Sequence, residues 1–178
     1  VYGIPGGSYT VEKSFSATKT DTRLIDIPQS ISVITRDQID DQAMSSMHDL
    51  VRYVPGVTMA QGEGHRDAPV LRGNVTTADL FVDGVRDDLQ YYRDLYALER
   101  VEILKGASGL IFGRSAGGGV INRVMKRADG ERHRAINLSA GSYDGRRVAG
   151  DLGGTLGQAD ARINVMYENS GSYRDHMQ

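Results

Sequence analysis

LERVEILKGASGLIFGRSAGGGVIN occupies residues 98–122, and the reading of its glycines decides the fold. Two apolar, strand-like pieces flank a loop. Between Val101 and Arg127 lie six glycines, edged by Lys105 and Arg114. A phosphate-cradling loop is the first candidate. A Walker A loop requires G-x-x-x-x-G-K-[ST] between a strand and a helix. Gly113-Arg114-Ser115 imitates its end, but Ser108 stands where the first glycine belongs. Arginine replaces the lysine that meets phosphate as a compact charge. GGGVINRVMK then reads as a strand, not a helix, and no G-x-G-x-x-G spacing occurs. Glycine has another use, because it admits positive φ and lets backbone approach backbone. A domain fitted inside a tube would need such residues where it meets the wall.

Composition narrows the classes further. The 178 residues are 39% hydrophobic and 25% charged, with a formal net charge of -2, which describes a folded chain and excludes a strongly basic nucleic-acid binder. No apolar run approaches the ~20 residues of a spanning helix. The first residue is Val1 and no signal peptide is present, so the chain is expected to be a piece of something longer. Without cysteine there is no disulfide scaffold and no cysteine-ligated metal. His48, His65, His133 and His176 are scattered, and no metal site or cofactor is predicted. Asp83 to Asp88 has the wrong order for an EF-hand, and no nucleophile elbow appears, so no catalytic residues are assigned.

Outward from the loop, residues 1–29 are polar and read as an extended segment. Ile31–Thr35 is a β-branched strand, and Thr35 with Gln38 marks a helix start. Met44, Met47, Leu50, Val51 and Val54 predict one helix from Ile39 to about Val54, ended by Pro55-Gly56. Short strands follow at Val57–Ala60, Val70–Gly73 and Leu80–Val82, the first running into a polar glycine loop, QGEGHRDA. Asp83-Gly84 is the clearest hairpin dipeptide in the chain. RDDLQYYRD is a charged aromatic loop. Residues 30–127 therefore predict a small α+β domain. After Arg127 the period becomes two: Ile136 and Leu138, then Val148, Leu152 and Leu156, then Ile163, Val165 and Tyr167, each alternating with polar or small residues. Strands of about ten residues with this alternation suit a transmembrane β-barrel. A soluble sheet with one wet face has the same period, and periodicity alone leaves both open.

The motifs together resemble one family. Ile27-Pro28-Gln29-Ser30-Ile31-Ser32-Val33-Ile34, Leu50-Val51-Arg52-Tyr53-Val54-Pro55-Gly56-Val57, Leu71-Arg72-Gly73, Val82-Asp83-Gly84-Val85-Arg86, Leu98 to Gly109, Phe112-Gly113-Arg114 and Gly118 to Asn122 look like the plug of TonB-dependent outer-membrane receptors. The likeness covers about residues 20–127. Gly62-Glu63-Gly64, Arg86-Asp87-Asp88 and Tyr91-Tyr92-Arg93 look most like its ferric-catecholate siderophore branch. Asn74 stands where the family commonly has an aromatic, Ala107 where it often has proline, and no TonB box is recognisable in VYGIPGG.

The resemblance implies an α+β plug, then from residue 128 a linker and the first about three strands of a barrel of about 22. It implies no enzyme but a gated importer of a ferric siderophore, energised by TonB with ExbB and ExbD and seated in outer-membrane lipid. Iron enters only as part of the ligand. Arg66, Arg86, Tyr91, Tyr92 and Arg93 are the implied ligand contacts, since arginine and tyrosine together hold an anionic catecholate by charge, hydrogen bonds and cation–π contact. Arg72, Glu99, Arg100, Glu102 and Arg114 are the implied plug–barrel contacts. Two other classes remain open at this point. One is a soluble periplasmic binding module with a similar core. The other is a nucleotide-binding enzyme, which needs the 106–119 loop to hold phosphate.

Overall fold

A computed structural model of the chain describes residues 9–62, 66–106, 109–113 and 118–171. In chain order the strands are β1 (Lys13–Ser14), β2 (Thr22–Arg23), β3 (Ser30–Thr35), β4 (Val57–Gly62), β5 (Arg66–Leu71), β6 (Asn74–Val75), β7 (Leu80–Val82), β8 (Val85–Arg86), β9 (Leu98–Lys105), β10 (Gly119–Met125), β11 (His133–Ala140), β12 (Arg146–Leu156) and β13 (Ala159–Asn169). The helices are α1 (Arg36–Asp41), α2 (Met47–Val51) and α3 (Gly109–Phe112). Two compact units part between Met125 and Lys126.

The first unit is organised by a sheet ordered β3-β9-β10-β7-β8, antiparallel except where β10 runs parallel to β7. Its central strands are buried on both faces, so they carry no clean alternation. On one face Ile34, Val101, Ile103, Ile121 and Leu80 pack against Ile39 of α1, Met47, Leu50 and Val51 of α2, and Val57, Met59 and Leu71 of the β4-β5-β6 sheet. On the other, Leu104, Val120 and Phe81 meet Ala17, Ile27 and Phe112. Each such aliphatic side chain withdrawn from water contributes about 1.5–3 kcal/mol.

The amino-terminal segment is more structured than an extended tail. β1 and β2 pair, and Leu24–Asp26 forms a 3-10 turn. The segment lies on the second face. Ser14 Oγ donates to Glu102 (2.8 Å), Asn122 Nδ2 donates to Ser16 Oγ (2.8 Å), and Lys19 Nζ stands 4.2 Å from the Phe112 ring centre.

The single helix expected from Ile39 to Val54 is two. Thr35 caps α1 by accepting from Gln38 N. Ala43 then takes φ +48, and Ser46 restarts the chain with a reciprocal capping box on Asp49. A serine cap outweighs continuous apolar spacing here. Gln61-Gly62 and Arg66-Asp67-Ala68, expected in a loop, extend the β4–β5 hairpin instead. Arg72-Gly73 and Asp83-Gly84 are two-residue turns with both φ values positive, joining β5 to β6 and β7 to β8.

The opening glycines have an internal role. A Cβ on Gly118 would stand 2.7 Å from Leu71 O, and one on Gly119 (φ +147) would stand 2.4 Å from Leu104 O. These two residues let β10 pass close to β5 and β9 inside the unit. Gly106 and Gly113, by contrast, take positive φ with open space where a Cβ would stand.

The second unit is the antiparallel sheet β11-β12-β13. Register puts Ile136 opposite Gly150 and Val165, Leu138 opposite Val148 and Tyr167, and Leu152 opposite Ile163, all on one face. The other face carries Asp151, Arg147, Arg162, Asn164 and Glu168. Ile136 and Leu138 are 74% and 75% exposed, whereas Asp151 is 8% exposed. Asp151 accepts from Arg162 and Lys126 (2.8 and 2.9 Å to Oδ2), and Arg147 pairs with Glu168. The sheet is inverted relative to a water-soluble one: its polar face carries ion pairs made within the unit and its apolar face is open.

Candidate functional site

The site is built where the loop after β8 meets the start of β5. Asp87 N donates to Leu80 O (2.9 Å), which anchors the loop's beginning on β7. The loop then folds around Arg93, which is 1% exposed. Its Nε donates to Asp87 Oδ2 (3.2 Å), Nη1 to Tyr91 O (3.0 Å), and Nη2 to Asp87 O (3.0 Å) and Leu89 O (2.5 Å). Its backbone N–H donates to Asp67 Oδ2 (2.7 Å), and Asp67 N donates to Tyr91 O (3.2 Å). Arg123 reaches up from β10 to pair with Asp87. Tyr91 Oη donates to the same carboxylate (2.6 Å), and the Arg93 guanidinium lies 4.1 Å from the Tyr91 ring centre.

Two carboxylates in this hub are shifted in opposite senses. Burial pushes Asp67 up, and the Arg93 backbone hydrogen bond with the nearby charges of Arg93 and Arg123 offsets it only in part. Its Oδ1 is buried without a hydrogen bond. Burial would also raise Asp87, but the Tyr91 hydroxyl, Arg123 and Arg93 outweigh it and hold that carboxyl below the usual range.

The five implied ligand residues do not gather as one set. Arg66 stands beside the loop, its Nη1 donating to Gln90 Oε1 (2.7 Å). Tyr91 and Tyr92 are both 40% exposed, and Tyr92 Oη donates to Ser45 O (3.3 Å). Arg86 belongs to the opposite face of the sheet, where its Nη1 donates to Ala78 O (2.5 Å) and its guanidinium lies 5.2 Å from the Phe81 ring centre. Arg93 corrects a sequence expectation. Its guanidinium is enclosed by its own loop and cannot meet a ligand in this conformation.

The implied plug–barrel contacts divide too. Arg72 is exposed at its turn. Glu99 is half-buried at the extra position of a β-bulge, where Arg100 pairs with Val124 and Leu98 with Met125. Arg100 and Glu102 are interior, a second correction. Arg100 Nε donates to Glu102 Oε1 (2.6 Å), with side-chain exposures of 7% and 0%, under the lid of Ser14. Arg114 lies outside the described residues.

Sequence reading missed Asp67, Arg123, Asn122, Ser14 and Ser16. Asp67 did leave a signal, because it shares strand parity with the buried Pro69 and Leu71 and so occupies an inward position. Arg123 left none, since β10 is buried on both faces. Among the described residues Asp129, Glu131 and His133 bring potential ligand atoms within 4.8 Å. His133 Nε2 stands 2.8 Å from Asp129, and Asp129 and Glu131 are exposed.

Comparison with known proteins places these features in a family context. A family profile described as the TonB-dependent receptor plug domain matches residues 23–120. The chain is 36% identical to the metal-pseudopaline receptor CntO of Pseudomonas aeruginosa over 97% of its own length and 25% of that protein's. It is 34% identical to the catecholate siderophore receptor Fiu of Escherichia coli over 82% of its length and 20% of that protein's. The crystal structure of the outer-membrane ferripyoverdine receptor of Pseudomonas aeruginosa superposes with a TM-score of 0.86 at 30% identity, covering 97% of this chain and 24% of that one. The chain thus spans a quarter or less of the length of these relatives.

Proposed function

The chain belongs to the TonB-dependent receptor family through its plug domain, and on that premise we propose that it gates an outer-membrane receptor importing a ferric siderophore. The first unit is the plug and the second begins the barrel. TonB with ExbB and ExbD supplies the energy that displaces the plug, and the bound iron is cargo. No catalytic step is assigned. The loop holding Tyr91 and Tyr92, with Arg66 at its side, faces the ligand, while Arg72, Glu99 and Arg114 meet the barrel.

One observation carries this reading: a plug-type unit is followed directly by a sheet with its apolar face open and its ion pairs on the other side. Lipid solvates such a face, whereas water does not. A soluble periplasmic module is disfavoured on that ground. A nucleotide-binding enzyme is disfavoured because strand β10, not a helix, follows the glycine loop.

The test is iron-limited growth and uptake of a panel of radio-iron siderophore complexes by cells with and without the complete gene. Loss of uptake of at least one complex on deletion, restored by the gene and abolished by de-energising the inner membrane, is the expected result. Unchanged uptake of every complex overturns the proposal.

A further inference from the structure

We propose that Arg93 is a positioning residue that acts through Tyr91, holding its ring as a rigid platform for a flat aromatic ring of the ligand; this rests on the import reading above. Arg93 itself is closed off, with Nε, Nη1 and Nη2 spent on Asp87, Tyr91 and Leu89. What it presents is the tyrosine. The guanidinium covers one face of the Tyr91 ring at 4.1 Å, and the hydroxyl is tied to Asp87 at 2.6 Å. Tyr91 is nonetheless 40% exposed, and a ligand ring can stack only on the face that Arg93 leaves uncovered.

Three consequences follow from that geometry. The ring is fixed at both its back face and its tip, and the ordering entropy is lost on folding and not on binding. A cation behind the ring draws electron density toward itself, which favours an electron-rich or anionic ring stacked in front. The hydroxyl is already engaged, so recognition falls to the ring face. The surroundings agree: Leu89 is 72% exposed, Tyr92 is 40% exposed with its hydroxyl turned to Ser45, and Arg66 stands at the rim beside Gln90. An aryl chelate finds stacking area there. A chelate that offers only hydroxamate oxygens and alkyl chains does not use it.

The experiment takes the complete receptor in detergent and titrates two probes by calorimetry: a ferric tris-catecholate with dihydroxybenzoyl arms, and a ferric trihydroxamate without aromatic rings. Tyr91→Leu is expected to weaken the tris-catecholate about tenfold and to leave any trihydroxamate binding unchanged. Arg93→Ala should do the same while residues 86–95 lose hydrogen-exchange protection, and Tyr91→Leu should not cause that loss. A merely structural Arg93 would lower both probes alike, and that result overturns the inference, as does wild-type affinity for the tris-catecholate in Tyr91→Leu. Tyr91→Leu keeps the test decisive if Arg93→Ala does not fold. A wild-type receptor that binds the trihydroxamate alone overturns the aromatic assignment and leaves import standing. One that binds neither probe and takes up no ferric siderophore overturns both.

Discussion

Replacing Glu102 by alanine strands two groups at once. The Arg100 guanidinium, held at 2.6 Å, loses its partner in a place where both side chains are almost wholly buried. The Ser14 hydroxyl loses its acceptor, and with it a tie between the amino-terminal segment and β9. Breaking one member of a buried ion pair costs about 3–5 kcal/mol, and the orphaned hydroxyl adds about 1 kcal/mol. Glu102→Gln keeps an acceptor for Ser14 and should cost about half as much. The double variant Arg100→Met with Glu102→Leu removes both charges together and should fall within about 1 kcal/mol of wild type. That gap between single and double variants is the signature of the pair. Urea unfolding of a 9–125 fragment, followed by far-UV circular dichroism, reads the series directly. Hydrogen exchange over residues 98–105 reads it in the complete receptor if the fragment does not fold. A Glu102→Ala penalty below about 1 kcal/mol, the size typical of exposed pairs, would refute the reasoning, because the pair would then have to open to water.

Gly119→Ala should destabilise the first unit by more than about 2 kcal/mol, since its Cβ would overlap Leu104 O at 2.4 Å in a positive-φ backbone; Gly56→Ala, with open space around it, should cost less in the same unfolding assay. Leu138→Arg on the open face of β11 should impair membrane insertion by about 2–4 kcal/mol, while Asn137→Ser on the polar face should be tolerated; heat-modifiable gel mobility of the assembled barrel separates the two. Acid should affect the two hub carboxylates oppositely. Asp87 is depressed, so its contribution is present above the ordinary carboxylate pKa and is lost as pH falls through its lower folded value. Asp67 is raised, so it opposes folding at neutral pH and that penalty disappears as pH falls through its raised value. Asp87→Asn should therefore lower stability at pH 7 and flatten the acid limb, and Asp67→Asn should be the milder change at pH 7; chemical denaturation between pH 3 and 7 checks both.

The elements that were legible in the sequence are those whose signal is local. β3, β9 and β10 announce themselves by β-branched runs, the turn at Asp83-Gly84 by its dipeptide, and β11 to β13 by strict alternation. The broken helix was masked because Met44, Met47 and Leu50 keep helical spacing through the break between α1 and α2, while the Ser46 cap lies in a run that reads as helix interior. The site was harder, because exposure is a tertiary property. Arg and Tyr in one loop mark a place for an anionic ligand, but Tyr91 and Arg93 are separated only by packing, one outside and one beneath it. Arg100 and Glu102 look like surface charges until the segment around Ser14 is folded over them.

The strand order β3-β9-β10-β7-β8 sets a timetable as well as a shape. Ser30 finds its neighbour at Lys105, and Leu80 finds its parallel neighbour at Ile121. A chain threaded amino end first therefore has nothing to complete its central sheet until nearly the whole first unit has emerged. Such high contact order makes folding slow, and a chain with this order stays threadable for most of its transit. The strands that close the sheet are also the last before Lys126, so the first unit can become compact only as the membrane-facing strands begin to arrive.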